Sequence, residues 1–145
     1  DIDNKMFKVQ LVDETLSRTT ASSWAKETNI NLERALLPTS RMGGHFVQGH
    51  VDGIVKILNI ESLKDSAVWH FSLTDEHKMY IVENGSICLD GISLTVAHKS
   101  SEYFSVALIP HTLNVTTWGQ KEIGDLVNIE VDIMAKYIRN LMEKE

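Results

Sequence analysis

The run Gly43-Gly44-His45-Phe46-Val47-Gln48-Gly49-His50-Val51-Asp52-Gly53 holds two imidazoles five residues apart, among glycines that leave room for close approach. On a strand two such histidines point to opposite faces. No cysteine or carboxylate cluster completes a ligand set beside them, so no metal site is expected. Proton transfer by a histidine next to open space is one reading, and two purely structural histidines are the other. Ser93 and Thr95 share one face of a strand. If that face points into a barrel, they offer a polar ligand two hydroxyls; otherwise they satisfy neighbouring backbone. No nucleophile elbow accompanies them, so covalent serine chemistry is not indicated.

Pro110, within Ala107-Leu108-Ile109-Pro110-His111-Thr112-Leu113, ends ladder bonding and frees main-chain groups that suit the edge of a flat ring, although a turn alone would need the same break. Asn128, Glu130 and Asp132 share a third face. Paired carboxylates can do acid–base work, but an exposed acidic strand face explains them more simply. Cys88, the single cysteine, has no basic neighbour and reads as a small core residue.

The elements that must carry these groups are mostly strands. Phe7, Val9 and Leu11 alternate with polar residues, as do Trp69, Phe71 and Leu73, then Phe104, Val106 and Leu108, then Val127, Ile129 and Val131. Asp90-Gly91 lies between two such runs as a tight turn. Gly43-Gly44 is expected to precede a further strand from His45 to Val51. A short helix is expected from Asp75 to Glu83, stopped by Asn84-Gly85. Short strands with frequent turns predict an all-β small barrel. At the end, Met134, Tyr137, Ile138, Leu141 and Met142 form the apolar stripe of an amphipathic helix, which either packs on its own barrel or meets a partner.

The chain also matches itself. With Phe7 set on Phe104, nine residues coincide without a gap: Phe7, Val9, Leu11, Thr15, Leu16, Thr19, Thr20, Asn31 and Glu33 fall on Phe104, Val106, Leu108, Thr112, Leu113, Thr116, Thr117, Asn128 and Glu130. This predicts a duplicated domain. The second copy reaches back to about His45, whereas only six residues precede Phe7. On the order of 50 residues at the front of the first copy are therefore expected to be absent or supplied from elsewhere. The expected divisions are 1–45, the back of a first barrel; 46–132, a second barrel; and 133–145, a helix.

The formal net charge of −6 argues against a nucleic-acid partner. No apolar run is long enough for a membrane helix. One cysteine allows no intrachain disulfide and fits a cytoplasmic protein.

Five stretches taken together resemble the riboflavin synthase family: Asn31 to Ala35, Arg41 to Asp52, Asp90 to Thr95, Leu108 to Thr112, and Gly124 to Asp132. The run Arg41 to His50 looks closest to fungal members. The resemblance implies two similar six-stranded closed barrels (the first incomplete here), a C-terminal helix, and a homotrimer with active sites between the first barrel of one subunit and the second barrel of the next. It implies a transferase that dismutates two molecules of 6,7-dimethyl-8-ribityllumazine by four-carbon transfer, giving riboflavin and 5-amino-6-ribitylamino-pyrimidinedione, without cofactor or metal.

By the same resemblance His50, Ser93, Thr95 and Asp132 carry the catalytic roles, with His50 in proton transfer. Substrate contacts fall on Gln10, Leu11, Val12, Asp13, Glu14 and Thr15; on Gly49, His50 and Val51; on Ser93, Leu94 and Thr95; and on Ala107, Leu108, Ile109, Pro110, His111 and Thr112. Asn84 is a further substrate contact by the resemblance, standing where the family usually carries a lysine that reaches the neighbouring site. The family's Met-Phe-Thr-Gly start and first-barrel cysteine turn do not occur in the chain. The competing reading is a non-catalytic lumazine- or flavin-binding barrel, of which the lumazine proteins are the example; these generally lack the two-histidine run.

Overall fold

The structure, a computed structural model, describes residues 2–3 and 6–143. Two short strands, β1 (Ile2–Asp3) and β2 (Met6–Phe7), pair antiparallel. Helix α1 (Asp13–Arg18) and a 3-10 turn (Thr20–Ser23) follow, and the chain then runs without regular structure to Asp52. Six strands come next: β3 (Gly53–Ser62), β4 (Ala67–Ser72), β5 (Ser86–Leu89), β6 (Ile92–Lys99), β7 (Tyr103–Leu108) and β8 (Leu126–Val131). Between β7 and β8 lie α2 (Pro110–Val115) and a second 3-10 turn (Thr117–Gln120); α3 (Ile133–Met142) ends the described chain.

The six strands close into an antiparallel barrel in the order β3-β4-β7-β6-β5-β8. Closure leaves no edge exposed to a foreign strand. The period-two pattern sends Val55 and Ile57, Trp69 and Phe71, Ile87 and Leu89, Phe104 and Val106, and Val127 and Ile129 inward, all buried. Trp118, from the second 3-10 turn, plugs this core. It is fully buried and lies edge-on to Trp69 at 5.1 Å and to Phe71 at 5.7 Å. That geometry suits the ring quadrupole.

The α1 region and the α2 region, which coincide in the self-match, share their local geometry. Thr19 (φ −126°, ψ 166°) and Thr116 (φ −126°, ψ 174°) each cap the 3-10 turn that follows. Their hydroxyls donate to the carbonyls of Thr15 (2.6 Å) and Thr112 (2.7 Å). The two regions also exchange partners. Thr20 N–H donates to Asn128 Oδ1 (2.8 Å), and Asn128 Nδ2 donates to Thr20 Oγ1 (3.1 Å). Thr117 N–H donates to Asn31 Oδ1 (2.9 Å), and Asn31 Nδ2 donates to Thr117 Oγ1 (3.0 Å).

One closed barrel is present among the described residues, and residues 6–52 lie mostly exposed outside it. Several expectations about single elements need correction. Pairing from Phe7 to Leu11 stops at Phe7. His45 to Val51 is not a strand. Gly49 takes φ 75°, and Gln48 N–H bonds a side chain where a ladder would need a carbonyl. Asp75 to Glu83 forms turns, with Lys78 N–H on Thr74 O and Tyr80 N–H on His77 O, without settling into a helix. Asn84 does take the left-handed conformation, φ 61°. The apolar stripe of α3 does not pack on its own barrel: Met134, Tyr137, Ile138, Leu141 and Met142 are all exposed. Instead Lys136, on the other side of α3, donates to Asp52 Oδ1 at 2.6 Å.

Candidate functional site

The site is built on the β5–β6 hairpin. Asp90 (φ 47°) and Gly91 (φ 82°) both turn left-handed, the paired conformation that a two-residue hairpin of this hand needs. Asp90 is held from three sides. Asn128 N–H donates to its Oδ1 (2.8 Å), Lys121 Nζ lies 3.0 Å from its Oδ2, and Asn31 Nδ2 donates to its carbonyl (3.0 Å). Beyond the turn Ile92 and Leu94 pack on the core and Val96 is buried within it. Ser93 and Thr95 therefore face outward and are exposed, the reverse of hydroxyls aimed into the barrel. The apolar alternation takes the interior.

A strap of chain from Gly43 to Asp52 reaches the same outer side. His45 Nδ1 lies 2.7 Å from Ser93 Oγ. Gly44 makes this approach possible, since a Cβ there would fall 2.5 Å from Ser93 Oγ. The strap is pinned to β8 at two points. Gln48 N–H donates to Glu130 Oε1 at 2.8 Å. Asp52 N–H donates to Ile129 O (2.8 Å), while Asp52 Oδ2 accepts from Val131 N–H (2.9 Å). Glu130 is thus buried, contrary to an exposed acidic face, and Asn128 is half-buried with it.

Between the strap, the hairpin and residues 29–36 opens a cleft of about 1120 Å³, whose walls include Asn31, Arg41, His45, Ser93 and Thr117. His45 Nε2 is buried without a hydrogen-bond partner. A hydroxyl against one ring nitrogen of an imidazole whose other nitrogen is unpartnered can pass a proton to or from a molecule in the cleft.

The other predicted residues fall at varied distances from this pair. His50 is exposed on the strap, between half-buried Val51 and exposed Gly49. Asp132 caps α3, its Oδ1 accepting from Met134 N–H at 2.9 Å. Asn84 sits at the far end of β5, its N–H on Val96 O. Ala107 is exposed on β7 and Leu108 is in the core. Exposed Ile109 precedes α2, which Pro110 opens, followed by exposed His111 and half-buried Thr112. Gln10 is exposed and Leu11 half-buried; Val12 precedes α1, Asp13 and Glu14 form its first turn, and Thr15 lies within it.

Sequence reasoning missed His45 as the partner of Ser93 and missed the anchoring roles of Glu130 and Asn31. The signal for the first was Gly44, a glycine directly before a histidine. Cys88 is the core residue expected: 3% exposed, its thiol is pushed up to about 12, by burial first and by the nearby Glu130 charge second. Among the described residues no group of three His, Cys, Asp or Glu side chains is placed to hold a metal ion, and no helix is long and apolar enough to cross a membrane.

The fold defines a class, the small closed antiparallel barrels, here with a polar cleft on the outer side. Residues 48–132 match the family model described as the lumazine binding domain. Along nearly its whole length the chain is similar to curated riboflavin synthases. It is 40% identical to that of Actinobacillus pleuropneumoniae (98% of this chain, 66% of the relative), 42% to that of Brucella abortus (96% and 69%), and 41% to that of Saccharomyces cerevisiae (95% and 60%). The chain belongs to the riboflavin synthase family. It spans about two thirds of the length of the first of these relatives. Among solved structures, LumP complexed with 6,7-dimethyl-8-(1'-D-ribityl) lumazine shares the fold, with TM-score 0.73 at 20% identity over 83% of this chain and 64% of that one.

Proposed function

We propose that this chain forms the larger part of a riboflavin synthase. Two molecules of 6,7-dimethyl-8-ribityllumazine react. One gives up a four-carbon unit and leaves as 5-amino-6-ribitylamino-pyrimidinedione; the other accepts it and becomes riboflavin. The observation that carries this reading is the Ser93–His45 pair at 2.7 Å, set in a cleft of about 1120 Å³, in a chain about 40% identical to curated riboflavin synthases.

The 7-methyl group of the lumazine is acidic enough for a modest base, and an imidazole accepts and returns a proton near neutral pH. Ser93 Oγ relays that proton and His45 stores it. Thr95, next on the same outer face, and His50, on the same strap, assist proton movement and orient substrate. Asp132 adds a carboxylate near the end of β8. Substrate also meets Leu94, Gly49 to Val51, Ala107 to Thr112 and, in the front segment, Gln10 to Thr15. Holding two flat rings in register supplies much of the rate. No metal or cofactor takes part.

Residues 1–45 are the back of a first barrel, 46–132 the second, and 133–145 the helix. The self-match and the shared geometry of α1 and α2 support a duplicated domain. The exposed stripe on α3 supports assembly, in a homotrimer whose active sites lie between neighbouring subunits. The protein works in the cytoplasm.

The test is to incubate the protein with 6,7-dimethyl-8-ribityllumazine and follow riboflavin fluorescence, for the unaltered chain and for Ser93→Ala. Riboflavin formed at turnover and lowered by about 10²-fold or more in S93A is the expected result. Lumazine binding without turnover would point to a carrier barrel. Neither binding nor turnover in a folded sample would overturn the reading.

A further inference from the structure

Asn31 belongs to the front segment, yet its side chain makes three bonds into the barrel region: Nδ2 to the Asp90 carbonyl (3.0 Å) and to Thr117 Oγ1 (3.0 Å), and Oδ1 from Thr117 N–H (2.9 Å). The Asp90 carbonyl belongs to the left-handed turn residue three positions before Ser93. The main chain of Asn128 also holds that turn, its N–H on Asp90 Oδ1 (2.8 Å) and its carbonyl accepting from Asp90 N–H (2.9 Å), and Lys121 Nζ meets the Asp90 carboxylate; Asn31 is the side chain that grips the Asp90 carbonyl. A two-residue turn fixes where the following strand starts and so where its first side chains point. Ser93 Oγ sits where a side chain on residue 44 would fall, space that Gly44 leaves clear, and lies 2.7 Å from His45 Nδ1.

We infer that Asn31 is a positioning residue for the Ser93–His45 pair, acting from the front segment through the Asp90–Gly91 turn. Asn128 makes the equivalent side-chain exchange with Thr20 and meets Asp90 through its main chain, whereas Asn31 meets it through its side chain. The front segment thus tunes the barrel's polar pair as well as walling its cleft. The inference rests on the reading of that pair as the proton-handling group, so its test is read without turnover.

The experiment records the His45 Nδ1 chemical shift by NMR at one fixed pH in the unaltered chain and in S93A, N31A and T20V. S93A removes the hydroxyl at Nδ1 and sets the size of the full change. Asn31→Ala is expected to move the Nδ1 shift in the same direction by at least half that amount. Thr20→Val, which removes the side-chain bond of the other exchange and keeps its backbone one, is expected to leave it in place. An unchanged Nδ1 shift in N31A overturns the inference, as does a T20V change equal to that of N31A, which would mean general loosening. If N31A fails to fold, Asn31→Leu fills the same volume without hydrogen bonds and is read the same way. Absence of riboflavin formation by the unaltered chain would count against the proposed activity and leave this result standing.

Discussion

Phe7 and Phe104 occupy matching places in the self-match, as do Val9 and Val106, yet their fates are opposite. Phe104 and Val106 are fully buried, whereas Phe7 is 51% and Val9 67% exposed. The helices and 3-10 turns that follow them agree in cap angles and in threonine hydrogen bonds. Caps and short turns are therefore local, fixed by a few adjacent residues wherever they stand. Burial is not local: alternation produces a core only when a sheet closes over it. Even the plug differs between the regions, since the place held by Trp118 in the barrel is held by Ala21 in the front segment.

Substitutions should separate the two regions sharply. Trp118→Ala is expected to cost about 3–5 kcal/mol, the loss typical of a fully buried tryptophan, whereas Trp24→Ala, half exposed in the front segment, should change stability by about 0.5 kcal/mol or less. Urea unfolding measures both, and equal losses would erase the contrast. Glu130→Ala orphans Gln48 N–H and should cost about 1–3 kcal/mol, with faster amide exchange along the strap. Glu130→Gln keeps an acceptor and should lose less.

Asn128→Ala removes the Thr20 exchange at a cost of about 1 kcal/mol. Its signature should be earlier protease cleavage near Trp24 with the barrel intact; cleavage first inside the barrel would contradict it. The smallest effect concerns Cys88. Iodoacetamide at pH 8 should leave the folded protein unlabelled by mass, because a thiol raised to about 12 stays protonated. The raised value means the folded state holds its proton more tightly than the unfolded chain. That contribution to stability is complete below the unfolded thiol's ordinary range near 9 and is lost as pH climbs towards 12. Cys88→Ala should flatten that alkaline decline.

The sequence made the barrel legible because its strands alternate strictly and Asp90-Gly91 names its turn. It made Cys88 legible because no basic residue neighbours it. It misled over Ser93 and Thr95, since alternation shows that two residues share a face without showing which face is inside; Ile92, Leu94 and Val96 decided that by their volume. Gly43 to Val51 resisted reading for a different reason. Its backbone bonds the Glu130 carboxylate, 82 residues away, and no local rule reports a contact of that range. His45 was in view throughout, but its meeting with Ser93 depends on the path of that strap.

The two Asn–Thr exchanges obey a rule usually met between separate molecules: a residue touches its partner's counterpart, and the counterpart touches back. A twofold axis relating identical chains generates contacts of this kind automatically. Here contacts of the same reciprocal form lie within one polypeptide, joining Thr20 to Asn128 and Asn31 to Thr117. The fusion that the self-match implies would have converted a meeting of two molecules into a permanent one, independent of dilution.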